Sequence, residues 1–339
     1  MVSLTEILQD NRFTPADLPE FEHKLYFEGE RRQRYLVRFT VLMFFATVIA
    51  SGGILVDSTA TVIGAMLIAP LMTPIVATTA ALVMGRARRA WHSLALVAAG
   101  VLGVILVSMV ISLLTIQVLN FETNTQITSR VSPITTDLIV ALAAGAAGAF
   151  AMSRNDVADS LPGVAISIAL VPPLCVVGVS LGNGVWDDAW GAFLLFMTNC
   201  LSILLAGGGV FALLRLDKAG TERLNQVNRR KAYTIIGISI LIVTIPLFLS
   251  TIKIGRDSVA QSQVKSIANE WNDQFEEDYI IDSVSVSGSI AKLRISGAEA
   301  PGTISDLGEQ IETEVNRIEV VNLLFIPSND YTYGAEASD

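Results

Sequence analysis

Histidine and cysteine are almost absent from this chain, and charge is scarce. The two histidines, His23 and His92, lie far apart, so no metal-ligand spacing exists. The two cysteines, Cys175 and Cys200, both fall inside apolar runs and read as small packing residues with no disulfide framework. No glycine-rich phosphate loop is present, so an ATP-driven pump would need a partner, and no cofactor is expected. Charged residues make up 16% of the chain, against about a quarter in soluble domains, which excludes an ordinary soluble globule. The opening residues, MVSLTEILQDNRFTPADLPEFEHK, lack the basic start, apolar core and cleavage site of a signal peptide. The first apolar span is therefore expected to direct insertion.

What is present is apolar residue in blocks. The chain is 52% hydrophobic with mean hydropathy +0.55. The blocks are roughly twenty residues long, the length that a hydrocarbon core of ~30 Å demands. After a polar segment at 1–35, seven spans are predicted, at about 36–56, 59–84, 93–117, 136–152, 163–181, 189–214 and 232–251. The fourth contains ALAAGAAGAFAM, and small residues let helices approach closely. The lipid bilayer is thus the first expected partner.

Lysine and arginine sort by loop. The cluster Arg31, Arg32, Arg34 and Arg38 and the loops 85–92, 153–162 and 215–231 hold most of them. The opposite loops, 57–58, 118–135 and 182–188, hold only Arg130. This bias predicts a cytoplasmic N-terminus and places residues 252–339 outside. The basic loops flank apolar spans, so they read as topology and not as nucleic-acid contacts.

Residues 252–339 read as a separate α+β domain with 6 Lys/Arg against 16 Asp/Glu, which accounts for the acidity of the whole chain. Val259, Val264, Ile267, Trp271 and Phe275 form one helical face, and Ile304, Leu307, Ile311 and Val315 a second. Strands are predicted at 280–287, 290–296 and 317–326, with Gly288 in the first turn. The acidity either concentrates cations near a pore mouth or keeps an exposed domain soluble.

Two stretches stand apart. Asp57 to Pro74 reads DSTATVIGAMLIAPLMTP, and Asp159 to Cys175 reads DSLPGVAISIALVPPLC. Each starts with Asp-Ser and carries a proline 13 residues after the Asp, Pro70 and Pro172. The stretches lie three spans apart, and an odd number of spans reverses direction. Spans 1–3 and 4–6 are therefore candidates for an inverted repeat, with spans 2 and 5 broken by proline. The runs VIGAMLIAPLMTPI and LPGVAISIALVPPL resemble the family called domain of unknown function 389, over roughly residues 35–215. That resemblance implies a hydrophobic membrane domain of bacteria and archaea, hence a prokaryotic plasma membrane, and supplies no substrate.

The expected site is the crossing of the two breaks. Asp57 and Asp159 either bind a cation or proton or cap a helix N-terminus; Ser58 and Ser160 share both readings. Pro70, Pro74, Pro172 and Pro173 would leave carbonyls free around Ala69, Leu71, Leu170 and Val171, to coordinate a cation or to be answered by neighbouring side chains. Helix starts after the breaks would favour an anion, and Thr73 adds a hydroxyl. Asn199, within FLLFMTNCLSILL, either lines the site or joins helices. The leading expectation is a transporter or channel for an ion or small polar solute, in a homo-oligomer. The alternatives are a membrane sensor or scaffold acting through the acidic domain, and a membrane-embedded hydrolase using the two aspartates. The usual intramembrane protease motif is missing around Asp159, so the chain is expected not to be an enzyme.

Overall fold

The computed structural model describes residues 12–27, 30–115, 121, 123–131, 134–153, 160–221, 226–274, 279–297 and 304–327. The chain divides into two compact units, Met1–Thr251 and Ile252–Asp339. The first unit holds α1 (Leu18–Leu25), α2 (Glu30–Leu55), α3 (Thr59–Ile68), α4 (Met72–Val83), α5 (Ala87–Leu114), α6 (Thr125–Val131), α7 (Thr135–Met152), α8 (Ser160–Gly182), α9 (Trp186–Leu213) and α10 (Leu216–Thr221). Helix α11 (Gln226–Asn272) begins in this unit and ends in the second.

Three helices, α2, α5 and α9, are each long and apolar enough to cross a membrane. Counting the bent pairs α3–α4 and α6–α7 as one span each raises the number to five. In α5, Leu102, Leu106, Val110 and Leu113 form an exposed apolar stripe at helical spacing. In a soluble protein such a stripe would be an unexplained patch; in a bilayer it is the solvent-compatible face.

Helix α8 lies at the centre. It packs on α2, α3, α4, α5, α6, α7 and α9, and every residue from Ala169 to Ser180 is buried. A helix that is apolar on all sides has no face to give to water. Close approach to its neighbours depends on glycine. A Cβ on Gly178 would stand 2.5 Å from the Ile105 carbonyl oxygen of α5, and one on Gly145 of α7 would stand 2.6 Å from Ile203 Cα of α9. The small residues of the fourth predicted span serve this second crossing.

The expected break in the fifth predicted span does not occur. Helix α8 runs through Pro172 and Pro173 without interruption. Packing on all sides holds these residues in place, and a neighbouring side chain answers a carbonyl freed by the prolines, as the site geometry below makes clear. The polar loop expected at 118–135 contains a short helix, α6.

In the second unit, strands β1 (Ile280–Ser287), β2 (Ile290–Gly297) and β3 (Val320–Pro327) form a sheet in the order β1-β2-β3. The β1–β2 pair is antiparallel about Gly288, whose φ of +64° suits glycine. The β2–β3 pair is parallel, with Ile290 opposite Val320. Helix α12 (Ile304–Glu314) makes the crossover. One sheet face, through Val284, Val286, Leu293 and Ile295, shares a core with Val264, Ile267 and Trp271 of α11 and Leu307 and Ile311 of α12. Phe275, expected on the first helical face, lies outside the described residues.

The glycine crossings give a direct test. Gly178→Ala should lower stability by about 1–3 kcal/mol through overpacking against α5 backbone. Gly209→Ala, where an added Cβ meets nothing within 4 Å, should be neutral or slightly stabilising. Thermal unfolding of the full chain in detergent measures both; equal losses at the two positions would contradict the packing described.

Candidate functional site

The break between α3 and α4 is a consequence of Pro70. The residue before a proline is pushed out of the helical region, and Ala69 accordingly ends α3 with φ −66° and ψ 124°. The two helices meet at a bend of 55°. At the start of α4, Leu71 occupies the N-cap position with no side chain to cap the helix, and Pro74 in the first turn has no N–H. The first-turn amides of α4 thus face the break.

Carbonyls freed at such a point must find donors when water is scarce. Ser167 of α8 donates its hydroxyl to the Ala69 carbonyl at 3.1 Å, and Ser167 is fully buried. Proline 173 removes the N–H that would bond the carbonyl four residues earlier, at Ala169. That oxygen instead accepts from Asn199 Nδ2 of α9 at 2.8 Å. The carbonyls that Pro172 and Pro173 free are therefore those of Ile168 and Ala169, and not Leu170 or Val171 as expected. Leu71 is likewise not an open ligand, because its carbonyl accepts from the Ile75 amide at 3.4 Å. Asn199 is 4% exposed, and its Oδ1 has no partner among the described residues. Two bonds thus tie α3, α8 and α9 together around the prolines.

The crossing itself is packed. Leu170 and Val171 are fully buried, and Pro172, Pro173 and Pro74 are buried too. Pro70 and Thr73 are half-buried. Thr73 lines a cavity of about 330 Å³ together with Met72, Met152, His23, Lys24 and Arg31. The opening is therefore on the Thr73 side of the break, and none of its lining among the described residues is acidic.

Asp57 is not at the break. Helix α3 has 10 residues, which at 1.5 Å per residue puts the Asp about 15 Å away. It occupies the left-handed position after α2, with φ +52°. The Ser58 amide bonds the Gly53 carbonyl at 2.8 Å and the Asp57 amide bonds the Ile54 carbonyl at 3.2 Å, the paired closure that usually takes glycine. The Asp57 carboxylate accepts from the Thr125 hydroxyl at 2.7 Å and the Gln126 amide at 3.1 Å. Asn124 completes this latch, donating to the Ile54 carbonyl at 2.7 Å and accepting from the Ile127 amide at 3.0 Å. Slight burial raises the Asp57 pKa, but the hydrogen bonds from Thr125 and Gln126 outweigh it and hold the carboxyl below its ordinary 3.8. Ser58, and not Asp57, is the N-cap of α3, accepting from the Thr61 amide at 3.4 Å. Asp159 lies outside the described residues. Ser160 is the first residue of α8.

Ser167, Asn124 and Thr125 were not among the residues singled out from the sequence. Ser167 had a signal: it is a lone hydroxyl in the run VAISIALVPPL, six residues before Pro173. The Asn124–Thr125 latch had none beyond a polar loop, because its partner lies 68 residues away.

The apolar helices suggest a membrane protein of the helical-bundle class, with one proline-broken helix pair tied to a central helix. Residues 66–205 match the family model described as a domain of unknown function (DUF389), the family that the two proline motifs resemble. A segment of 173 residues, 51% of this chain, is 32% identical to an uncharacterized protein of Methanocaldococcus jannaschii and covers 52% of it. The chain thus spans about half the length of that curated relative. No solved structure gives a significant match.

Two outcomes are expected. Asn199→Leu strands the Ala169 carbonyl and should cost about 1–3 kcal/mol, measured by denaturant unfolding in micelles; an unchanged midpoint would remove Asn199 from this role. Asp57 has a folded pKa below its unfolded value, so its contribution is complete above pH 3.8 and is lost as pH falls through the folded value. The stability gap between wild type and Asp57→Asn should therefore narrow when unfolding is followed from pH 7 down to pH 3.

Proposed function

We propose that this chain moves an anion or small anionic solute across the membrane, with its site on the Thr73 side of the α3–α4 break. The observation that carries the proposal is the 330 Å³ cavity at the break, whose described lining includes Thr73, His23, Lys24 and Arg31 and, among the described residues, no carboxylate. A helix start within the bundle, uncapped by side chains, is a favourable end for negative charge. Discontinuous helices that end near the middle of a bundle are the usual place for a transported solute. The packed crossing at Val171 and Pro172 then serves as the closed part of the path, and Ser167 and Asn199 hold it together.

An inverted repeat fits the packing. Exchanging α2, α3–α4 and α5 with α7, α8 and α9 maps each contact onto another. The α5–α8 contact corresponds to α9–α4, α2–α3 to α7–α8, α4–α5 to α8–α9, α2–α5 to α7–α9, and α2–α8 to α7–α4. The seven-span reading adds α8 and the apolar run 232–251 of α11 to the five spans counted above. With the N-terminus in the cytoplasm, the Thr73 cavity opens inward, and the acidic second unit lies outside.

Flux into liposomes holding the full chain tests this. A panel of inorganic and small organic anions should include at least one that permeates, with monovalent cations excluded. Lys24→Gln with Arg31→Gln should reduce that flux roughly tenfold, by loss of electrostatic focusing. Cation-selective flux would reverse the assignment of charge, and absence of any flux across the panel would favour a sensor or scaffold.

A further inference from the structure

A second cavity, of about 760 Å³, lies where the N-terminal ends of α2 and α5 meet the segment after α1. Its lining includes Arg32, Arg88, Arg89 and His92 with the aromatic rings of Tyr35 and Trp91. We propose that it binds the phosphate headgroup of an anionic phospholipid from the adjoining leaflet. The inference uses the membrane location of the helices and stands whether or not the chain transports an anion.

The charge balance comes first. The acidic side chain of Glu22 is taken by Arg86 and Arg89. Arg89 also lies over the Tyr26 ring, 4.7 Å from its centroid. Arg32 and Arg88 form no ion pair among the described residues, and both are exposed. Two guanidinium groups on separate helices thus line one cavity without a carboxylate partner among the described residues. Guanidinium forks match phosphate oxygens two at a time, which an ammonium does not.

Position and shape select a lipid over a soluble anion. Just beyond Arg32, α2 presents Val37 and Val41 outward, and beyond Arg88, α5 presents Leu94. The cavity therefore sits at the boundary between cationic and lipid-facing bands. Trp91, 69% exposed, marks the same level; tryptophan collects at the headgroup layer. The wall facing the bundle is apolar, through Leu25, Leu36, Pro74 and Leu96, and suits the start of an acyl chain. Tyr35 stacks on Phe27 with centroids 4.0 Å apart. Its hydroxyl is buried and has no partner among the described residues, leaving a donor for a headgroup oxygen. Basic pockets between membrane helices on the cytoplasmic side are a general solution for anionic headgroups.

The occupied cavity would have a mechanical consequence. Pro74 lines it, and Thr73, one residue away, lines the smaller cavity at the break. A lipid seated here would contact the first turn of α4 from the other side.

The test uses the full purified chain in mixed micelles, with retained lipid counted by native mass spectrometry. Phosphatidylglycerol should be retained roughly tenfold or more over phosphatidylcholine, because two cations near the headgroup favour the lipid with net negative charge. Arg32→Gln with Arg88→Gln should bring the two lipids to equal retention. Arg34→Gln with Arg38→Gln, on α2 but outside the cavity, should leave the preference intact. Millimolar inorganic phosphate should not displace the lipid. Equal loss in both double variants would overturn the site in favour of diffuse surface charge, and displacement by phosphate would make it a soluble-anion site. If Arg32→Gln with Arg88→Gln fails to fold, Tyr35→Phe, which removes one donor and keeps the stack, should still lower the preference several-fold; unchanged retention in that variant would overturn the proposal.

Discussion

A backbone carbonyl without a donor is costly where water is scarce, and this constraint organises the first unit. The sequence places Pro70, Pro172 and Pro173 inside two apolar helical stretches, and each removes one amide that an unbroken helix would use. The chain answers in two ways. At Pro70 the helix gives way, Ala69 turns extended, and Ser167 bonds its carbonyl. At Pro173 the helix persists, and Asn199 bonds the carbonyl at Ala169. Both answers pass through α8, so the helix that carries Pro172 and Pro173 also repairs the break in the other half.

The difference between the two halves follows from surroundings. Helix α8 is buried on every side from Ala169 to Ser180, and Gly178 allows α5 to press against it. Neighbours that close leave a bent helix nowhere to go. The α3–α4 pair has one exposed side, with Ile63 and Leu67 facing outward, and the bend costs fewer contacts there. The polar opening at Thr73 therefore exists on one side of an otherwise packed crossing. In the transport function proposed above, a single open end corresponds to an inward-facing carrier, and the packed side at Val171 would have to part for release.

Much of this was legible from residue order. The predicted first strand, 280–287, coincides with Ile280–Ser287, because Gly288 and alternating valines fix its ends and faces. The predicted fourth span at 136–152 and fifth at 163–181 fall on α7 and α8. Pro70 was correctly read as a break, since proline acts through its own backbone. Pro172 and Pro173 were misread for the complementary reason: whether a proline breaks a helix depends on neighbours that sequence order does not reveal. The place of Asp57 shows the same limit. Its location between two spans was evident, but its partners Thr125 and Gln126 come from a short helix within a polar loop. The sequence also carried no sign that the N-terminal segment would bring His23, Lys24 and Arg31 to Thr73.

The central claim is that the break opens to water at Thr73 while the crossing at Val171 is closed. Thiol accessibility in intact membranes measures this directly. In a background where Cys175 and Cys200, both buried, are replaced by alanine, single cysteines are placed at Thr73→Cys and Val171→Cys and exposed to a charged, membrane-impermeant reagent from each side. The account predicts rapid labelling at position 73 from the side that carries the basic loops, and protection at position 171 from both sides. Protection at 73 from both sides, or labelling at 171 as fast as at 73, would contradict it.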